Sequence, residues 1–419
     1  MNRIFDRAEL LLPCNVDMTK WSVVACDQFS SQPEYWDALE KANADVPSSL
    51  HIMLPEAYLR TRDPEEETRR INAEMERYLH EGVFRALPDS YIYVERTLRS
   101  GVVRRGLLGV LDLEQYDYAA DSVSPIRATE GTVEERLPPR VRIRQDAALE
   151  MPHIMVFFDD PGDGVMGLLG WEKSILEPLY DFELSAGGGH IRGWRVSGEA
   201  ADGVEAKLDQ LEYPQRLKSI YGDKAPVLFA MGDGNHSLAT AKKCWEQLKP
   251  TLTEAERETH PARFSLVELV NIHDPAITFE PIHKVLFHTD PAEFLAAAEA
   301  AFSALSGPAD TKHTLRLLTA QGERELTVRG LTLGQLIGAA EEICQKYLAE
   351  HGGKIDYIHN DDTAMEMGRR SDGAAVLLPK MEKAELFPSV ASTGPFPKKS
   401  FSIGHAEDKR YYLECRRIK

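Results

Sequence analysis

The sequence predicts an α+β protein in which helices and strands alternate along a chain long enough for two domains. Some segments repeat apolar residues at helical spacing, whereas others are short runs rich in β-branched and aromatic residues. No internal repeat or low-complexity tract is visible in the 419 residues. At roughly 150 residues per domain, this length allows two or three domains. We place a boundary between a larger N-terminal α/β region, residues 1–288, and a smaller C-terminal α/β domain, residues 289–419.

The charge balance excludes several classes of partner. The chain has 49 basic and 67 acidic residues, a formal net charge of −18. Such a charge repels phosphate backbones and anionic lipid, so we expect no general nucleic-acid binding and no membrane binding. A small anion can still bind in a locally basic cleft. No apolar run approaches the ~20 residues that span a bilayer, the start lacks a basic-then-apolar signal, and the five cysteines are odd in number and widely spaced. We therefore expect a cytoplasmic protein with reduced thiols, whose oligomeric state stays open.

The N-terminal region begins with strong helix and hairpin signals. Asp63 and Pro64 are typical of a helix start, and three glutamates follow where the helix dipole favours negative charge. Ile71, Met75 and Leu79 recur at four-residue spacing, which predicts one buried face. Two strands are predicted at residues 91–98 and 102–113, with a turn between them.

Residues 116–145 are predicted to form a long polar loop. Five arginines lie in it, at positions 127, 136, 140, 142 and 144, together with the pair Pro138-Pro139. In an acidic chain this is a local basic island. A solvated charged loop is the simpler interpretation, but a loop of this length inside a domain is often functional.

Further strands and helices alternate towards the C-terminus. We predict strands at residues 153–158, 226–231, 265–272, 314–319, 324–328, 355–358, 374–378 and 411–416. Helices are predicted over residues 238–249 and after the cap signals Asp290-Pro291 and Thr332.

The strongest candidate site is the turn between an apolar strand and a helix at residues 232–237. Gly234 lets the backbone approach a ligand, and the first N–H groups of a helix are donors at its positive end. This arrangement suits a phosphate, to which His236 can donate and Ser237 can add a hydroxyl. An ordinary tight turn with an Asn235 or Ser237 cap is the competing interpretation. The segment matches neither the P-loop nor the dinucleotide fingerprint.

Two other segments carry candidate chemistry. Glu130 lies in the basic loop, where a carboxylate can act as a base towards a hydroxyl, or can simply pair with arginine at the surface. Lys398, Lys399 and Ser400 are suited to phosphate oxygens, although a solvated basic pair is the commoner explanation. His236, His273 and His283 lack metal-ligand spacing, so we predict no metal site built by the protein and give little weight to a metal-dependent hydrolase.

Taken in order, these segments resemble a bacterial and archaeal family of unknown function. The motif Asp-Gly-His-His-Arg of that family is matched by Asp233-Gly234-Asn235-His236-Ser237, and its Pro-His-Glu-x-Thr by residues 128–132. Its Pro-Lys-Ser/Thr segment is matched by residues 397–400. Two further segments are similar to sequences of the family: Pro-Ile-His-Lys at residues 281–284 and Asp-Tyr-Ile-His at residues 356–359. The motif arginine is replaced by Ser237, one histidine by Asn235, and the histidine before the glutamate by Thr129.

The resemblance implies a relation to the archaeal free serine kinase and a ParB/sulfiredoxin-like mixed α/β domain with an N-terminal extension. It implies ATP or ADP with Mg²⁺ as cofactor and a small hydroxyl compound, first of all serine, as substrate. Glu130 is then the general base. Gly234, Asn235, His236 and Ser237 hold the phosphates with Lys399 and Ser400, and Asp233 is a partner for the metal ion. The alternative is a non-catalytic nucleotide- or phosphate-binding regulatory module of the ParB type.

Overall fold

The computed structural model describes residues 3–151, 153–404 and 408–419. The α-helices are α1 (Met18–Trp21), α2 (Pro33–Asn43), α3 (Pro64–His80), α4 (Leu137–Arg144), α5 (Gly164–Glu172), α6 (Glu199–Leu211), α7 (Pro214–Tyr221), α8 (Asn235–Leu248), α9 (Glu254–Thr259), α10 (Pro291–Ser303), α11 (Leu333–His351), α12 (Asp361–Gly368) and α13 (Leu386–Thr393). The strands are β1 (Phe5–Asp6), β2 (Ala8–Pro13), β3 (Val23–Val24), β4 (Phe84–Thr97), β5 (Val103–Asp112), β6 (Tyr116–Asp117), β7 (Ile126–Arg127), β8 (Leu149–Glu150), β9 (Met155–Phe158), β10 (Glu177–Glu183), β11 (His190–Val196), β12 (Phe229–Asp233), β13 (Phe264–Asn271), β14 (Phe279–Pro281), β15 (His283–Phe287), β16 (Lys312–Thr319), β17 (Gly322–Arg329), β18 (Lys354–Ile358), β19 (Gly373–Leu377), β20 (Phe401–Ile403), β21 (Tyr411–Tyr412) and β22 (Arg416–Arg417).

Two sheets organise these elements into a mixed α/β architecture, as predicted. The large sheet has the order β10-β11-β4-β5-β13-β9-β12-β7-β6, with β1 added to β5 and β2 to β4. It is mixed, because β9 pairs in parallel with β13 and antiparallel with β12. The second sheet has the order β17-β16-β19-β15-β18, and its recorded pairs are antiparallel. Buried apolar residues fill the space on both faces of the large sheet and between the second sheet and helices α10, α11 and α13.

The chain crosses between the two sheets more than once. Strand β15 belongs to the second sheet although it lies before the predicted boundary at 288/289, which stays a prediction. The last strands return to the first body, where β21 pairs with β3 and β22 with β8. Residues 408–419 therefore pack with the N-terminal region rather than with the smaller domain in which we placed them.

The helices predicted from their N-cap residues are confirmed. Asp63 accepts hydrogen bonds from the N–H groups of Glu65 and Glu66, and Ile71 and Met75 are buried on the inner face of α3. Asp290 caps α10, and Thr332 forms a capping box with Gln335 at the start of α11. Each cap satisfies N–H groups that a helix start leaves without a partner.

The predicted loop at residues 116–145 is wrong over its last part, which forms α4. Pro138 and Pro139 fall in the first turn of that helix. In this position proline removes no intrahelical hydrogen bond, and its fixed φ suits the helix. Two prolines in a row thus mark a helix start here rather than an irregular segment.

None of the helices in the described ranges combines the length and apolarity needed to cross a bilayer. The five cysteines are free thiols, of which Cys344 and Cys415 are buried.

Candidate functional site

The turn from β12 into α8 leaves the start of that helix open. Gly234 precedes the helix with a φ of +79°, a left-handed conformation that glycine adopts readily. A Cβ at this position would lie 3.0 Å from the Cα of Ile154. No side chain in the described residues caps the helix, and the Gly234 N–H is bonded to the carboxylate of Asp233. The N–H groups of Asn235 and His236 therefore point outward at the positive end of a 14-residue helix.

Two polar atoms beside this helix start are buried and lack a partner within the described part of the chain. They are the Oδ1 of Asn235 and the Oγ1 of Thr132. Buried polar groups are normally hydrogen-bonded, and a buried polar atom without a partner beside an open helix start is typical of a place where a ligand or water binds.

His236 is a neutral histidine of defined tautomer. Burial, together with the positive charges of Arg140 and Arg136, lowers the pKa of His236 to about 4. Its Nε2 accepts a hydrogen bond from the Val133 N–H at 3.4 Å. In a neutral imidazole that accepts at Nε2 the proton is on Nδ1, so His236 retains one donor.

Glu130 connects this region to the C-terminal part of the chain. Its Oε1 accepts the main-chain N–H of Lys399 at 2.9 Å. The neighbouring Thr129 is fixed on both sides, because its carbonyl accepts from the Phe396 N–H at 2.7 Å and its hydroxyl donates to the Met231 carbonyl at 2.6 Å. Residues 129–130 thus lie between β12 and residues 396–399.

The lysine segment has an unusual backbone. Lys399 has a φ of +59°, and its Nζ lies 4.2 Å from the centre of the Tyr357 ring. Backbone strain of this kind costs roughly 1–3 kcal/mol and is concentrated at functional sites. Lys398 is exposed, and its charge contributes to the low pKa of His236. Ser400 is buried and its hydroxyl donates to the Pro397 carbonyl at 2.5 Å, so it stabilises the turn instead of facing the helix start.

A second layer of charged residues, absent from the sequence prediction, lies beneath Asp233. Lys409 forms an ion pair with Asp233 at 3.0 Å, and His153 forms one with Asp27 at 3.7 Å. Burial opposes charge on Asp27, but His153 and Lys409 hold the pKa of Asp27 well below its usual range. Burial also opposes charge on His153 and Lys409, and here Asp27 and Asp233 respectively raise the pKa. The layer is therefore two acid–base pairs, Asp233 with Lys409 and Asp27 with His153.

Two of the five arginines of the basic island are in ion pairs, and a third is held by main-chain carbonyls. Arg127 is buried and donates to the carbonyls of Ser124 and Ala225. Arg140 pairs with Glu56, and Arg144 with Glu150. Among the residues described, Arg136 and Lys398 form no ion pair, and both are exposed positive charges that act on His236.

The other two candidate histidines, His273 and His283, each contact a different carboxylate. His273 contacts Asp159 at 2.8 Å, and His283 contacts Asp361 at 2.8 Å. Within the described ranges, no group of three or more His, Cys, Asp or Glu side chains is arranged to hold a metal ion.

Comparison with known sequences identifies the family. A model described as a protein of unknown function, DUF1015, matches residues 12–348. The chain belongs to the DUF1015 family. No curated protein matches this DUF1015 chain. The predicted membership in a family of unknown function is confirmed.

Solved structures resemble the DUF1015 chain only distantly. A free serine kinase in complex with AMP shares 9% identity at a TM-score of 0.35, over 74% of this chain and 91% of that chain. A conserved hypothetical protein from Pyrococcus furiosus shares 9% identity at a TM-score of 0.32, over 74% of this chain and 94% of that chain. SbnI with C-terminal truncation from Staphylococcus aureus shares 9% identity at a TM-score of 0.34, over 71% of this chain and 82% of that chain. Likeness at this level carries no argument about the site.

Proposed function

We propose that this protein binds the phosphates of ATP or ADP at the start of α8 and transfers a phosphoryl group to the hydroxyl of a small molecule. The observation that supports it is the contact of three segments far apart in sequence around one open helix start. Val133 bonds to His236, Glu130 bonds to Lys399, and Gly234 opens the helix. Helix N–H donors, a neutral imidazole and two lysines are the groups that phosphate oxygens bind.

In this proposal each residue of the site has its own chemical role. The terminal phosphorus of the bound nucleotide forms a bond to the acceptor oxygen, and its bond to the bridging oxygen breaks. The bridging oxygen keeps the electron pair of the broken bond. Glu130 takes the hydroxyl proton of the acceptor on Oε2, since Lys399 holds Oε1. The N–H groups of Asn235 and His236, and the Nδ1–H of His236, donate to phosphate oxygens.

The other predicted residues have supporting roles in the proposal. The hydroxyl of Ser237 adds a donor in the first turn of α8, and the Ser400 turn positions Lys399. Mg²⁺ prefers oxygen ligands and is commonly held by one or two carboxylates and substrate phosphates. Asp233 would serve as such a ligand only if its ion pair with Lys409 opened, because its two carboxylate oxygens are bonded to the Gly234 N–H and to Lys409. Free serine is the first acceptor to test.

A second candidate is a non-catalytic nucleotide- or phosphate-binding module on a ParB/sulfiredoxin-like fold. The bond between Glu130 and the main chain of Lys399 favours it, because a carboxylate used as a structural tie is less available as a base. In either case we propose action in the cytoplasm.

The decisive experiment measures product. The full-length chain is incubated with Mg²⁺, ATP or ADP, and serine or other small hydroxyl compounds, and phosphorylated product is measured by ³¹P NMR and mass spectrometry. We expect Glu130→Gln to lower kcat by about 100-fold or more, the usual contribution of a general base. Glu135→Gln, an exposed glutamate in the same segment, is the matched control and should retain full activity.

Full activity in Glu130→Gln would contradict the assigned role of Glu130. Calorimetric nucleotide binding without product from any acceptor would support the non-catalytic module. No nucleotide binding would reject both candidates.

A further inference from the structure

A cavity of about 160 Å³ that is open to solvent lies beside the first turns of α8, on the side formed by Ser237 and Thr240. Its apolar walls include Ile52, Met53, Leu54, Met75 and Met151. An apolar cavity of about 150 Å³ is large enough to bind benzene. The space is therefore suited to one ring or one branched aliphatic group.

The cavity adjoins the candidate phosphate site through shared residues. Arg140 lines the cavity and also lowers the pKa of His236. Tyr412 lines it as well, and its hydroxyl lies 3.0 Å from the Nδ1 of His153, which faces Asp27. Ser237 on the cavity wall directly follows His236 in the helix. The cavity thus shares Arg140 with the surroundings of His236 and Ser237 with the first turn of α8.

The charged residues of the cavity wall neutralise each other. Arg140 pairs with Glu56, and Arg144 pairs with Glu150. Burial raises the pKa of the Cys26 thiol to about 11, so this wall residue is also uncharged at neutral pH. A wall of apolar side chains and internally paired charges recognises an uncharged apolar group.

We infer that the acceptor carries an uncharged apolar group of about the size of a benzene ring, next to the hydroxyl that is phosphorylated. The hydroxyl half of this inference rests on the proposed phosphoryl transfer, whereas the apolar half rests on the cavity. Free serine has no group that fills the space, and an empty apolar cavity gives up contacts that a larger ligand makes. The substrate class is therefore a small alcohol with an aromatic or branched aliphatic substituent.

The test compares L-serine with L-phenylserine, which differ by a phenyl group on the carbon that bears the hydroxyl. Calorimetry with the full-length chain and ADP should give at least tenfold tighter binding for phenylserine, since each methylene placed in an apolar pocket changes selectivity about 10- to 200-fold. Ala147→Leu, which adds atoms into the cavity, should abolish this preference. Ala148→Leu, the same change one residue outside the lining, should retain it. Leu59→Trp fills the cavity from another wall and serves if Ala147→Leu does not fold.

The outcomes separate the two proposals. Equal binding of both amino acids, or a preference that survives both filling variants, overturns the cavity inference whatever the activity. A phenylserine preference that is lost on filling supports the inference, even if no phosphorylated product forms. In that case the cavity is a binding site for an apolar ligand, and phosphoryl transfer is judged by the product assay with the wider set of acceptors.

Discussion

At the scale of single residues, the charge state of His236 is the most informative property of the candidate site. Burial and the charges of Arg140 and Arg136 lower the pKa of His236 to about 4. We predict that Arg140→Met raises this pKa towards its ordinary value, because one repelling charge is removed. Inorganic phosphate should raise it as well, since an anion favours the protonated ring. NMR titration of the histidine Cε1–H signals measures both effects.

Arg142→Met is the matched control for the His236 titration. Arg142 is exposed on the same helix and is absent from the groups that shift His236. Its removal should leave the titration unchanged. Because the pKa is lower in the folded than in the unfolded chain, the contribution of His236 to stability is present above pH ~6.5 and is lost as the pH falls towards 4. A His236 signal that titrates near 6.5 in the wild-type chain would contradict the account.

At the scale of elements, the turn between β12 and α8 depends on glycine. A side chain at Gly234 would have to adopt a φ of +79° and would approach the backbone of Ile154. We predict that Gly234→Ala weakens nucleotide binding and lowers the free energy of unfolding by more than the roughly 1–2 kcal/mol that a left-handed alanine costs. Urea denaturation and calorimetry measure the two effects.

Gly82→Ala provides the comparison for the Gly234 variant. Gly82 follows the C-cap residue of α3 and also has a positive φ, +69°, but a Cβ there would have open space around it. This control should therefore show the conformational cost alone, with unchanged nucleotide binding. Equal losses of stability and binding in the two variants would argue against a specific role for the β12–α8 turn.

The elements also show what the sequence could reveal. Helices α3, α10 and α11 are predictable because Asp63, Asp290 and Thr332 are local cap signals. The strand-to-helix turn at Gly234 is predictable for the same reason. Asp27, His153 and Lys409 are not, because their partners are brought together by packing over more than a hundred residues. A carboxylate three residues after the end of the short apolar strand β3 was the available signal for Asp27.

At the scale of the whole molecule, the chain has a net charge of −18, whereas the local charge around the candidate site is neutral or positive. Ion pairs neutralise two arginines of the basic segment, Arg140 and Arg144, and the acidic residues Asp27 and Asp233 are themselves paired. Arg136 and Lys398, which have no ion pair among the described residues, add positive charge that acts on His236. The chain thus combines an acidic exterior with one place where a small anion is not repelled.

Residues 408–419 return to the N-terminal region through the strand pairs β21–β3 and β22–β8, and we expect this return to make the fold one cooperative unit. Arg410 lies buried between Glu268 and Glu414, at 2.6 and 2.8 Å, next to the site residue Lys409. Removing one partner of a buried ion pair leaves an uncompensated charge. We therefore predict that Arg410→Met lowers the free energy of unfolding by about 3–5 kcal/mol.

Urea denaturation followed by both tryptophan fluorescence and circular dichroism checks the Arg410 prediction. Because the second sheet lies in sequence between two segments of the first body, the two probes should report one coincident transition. Lys419→Met, which removes an exposed contact with Asp146 at 3.8 Å, is the control and should change stability by less than about 0.5 kcal/mol. Separate transitions in the wild-type chain would mean that the C-terminal strands do not couple the sheets. The contact between Glu130 and Lys399 would then have to form without help from the tail.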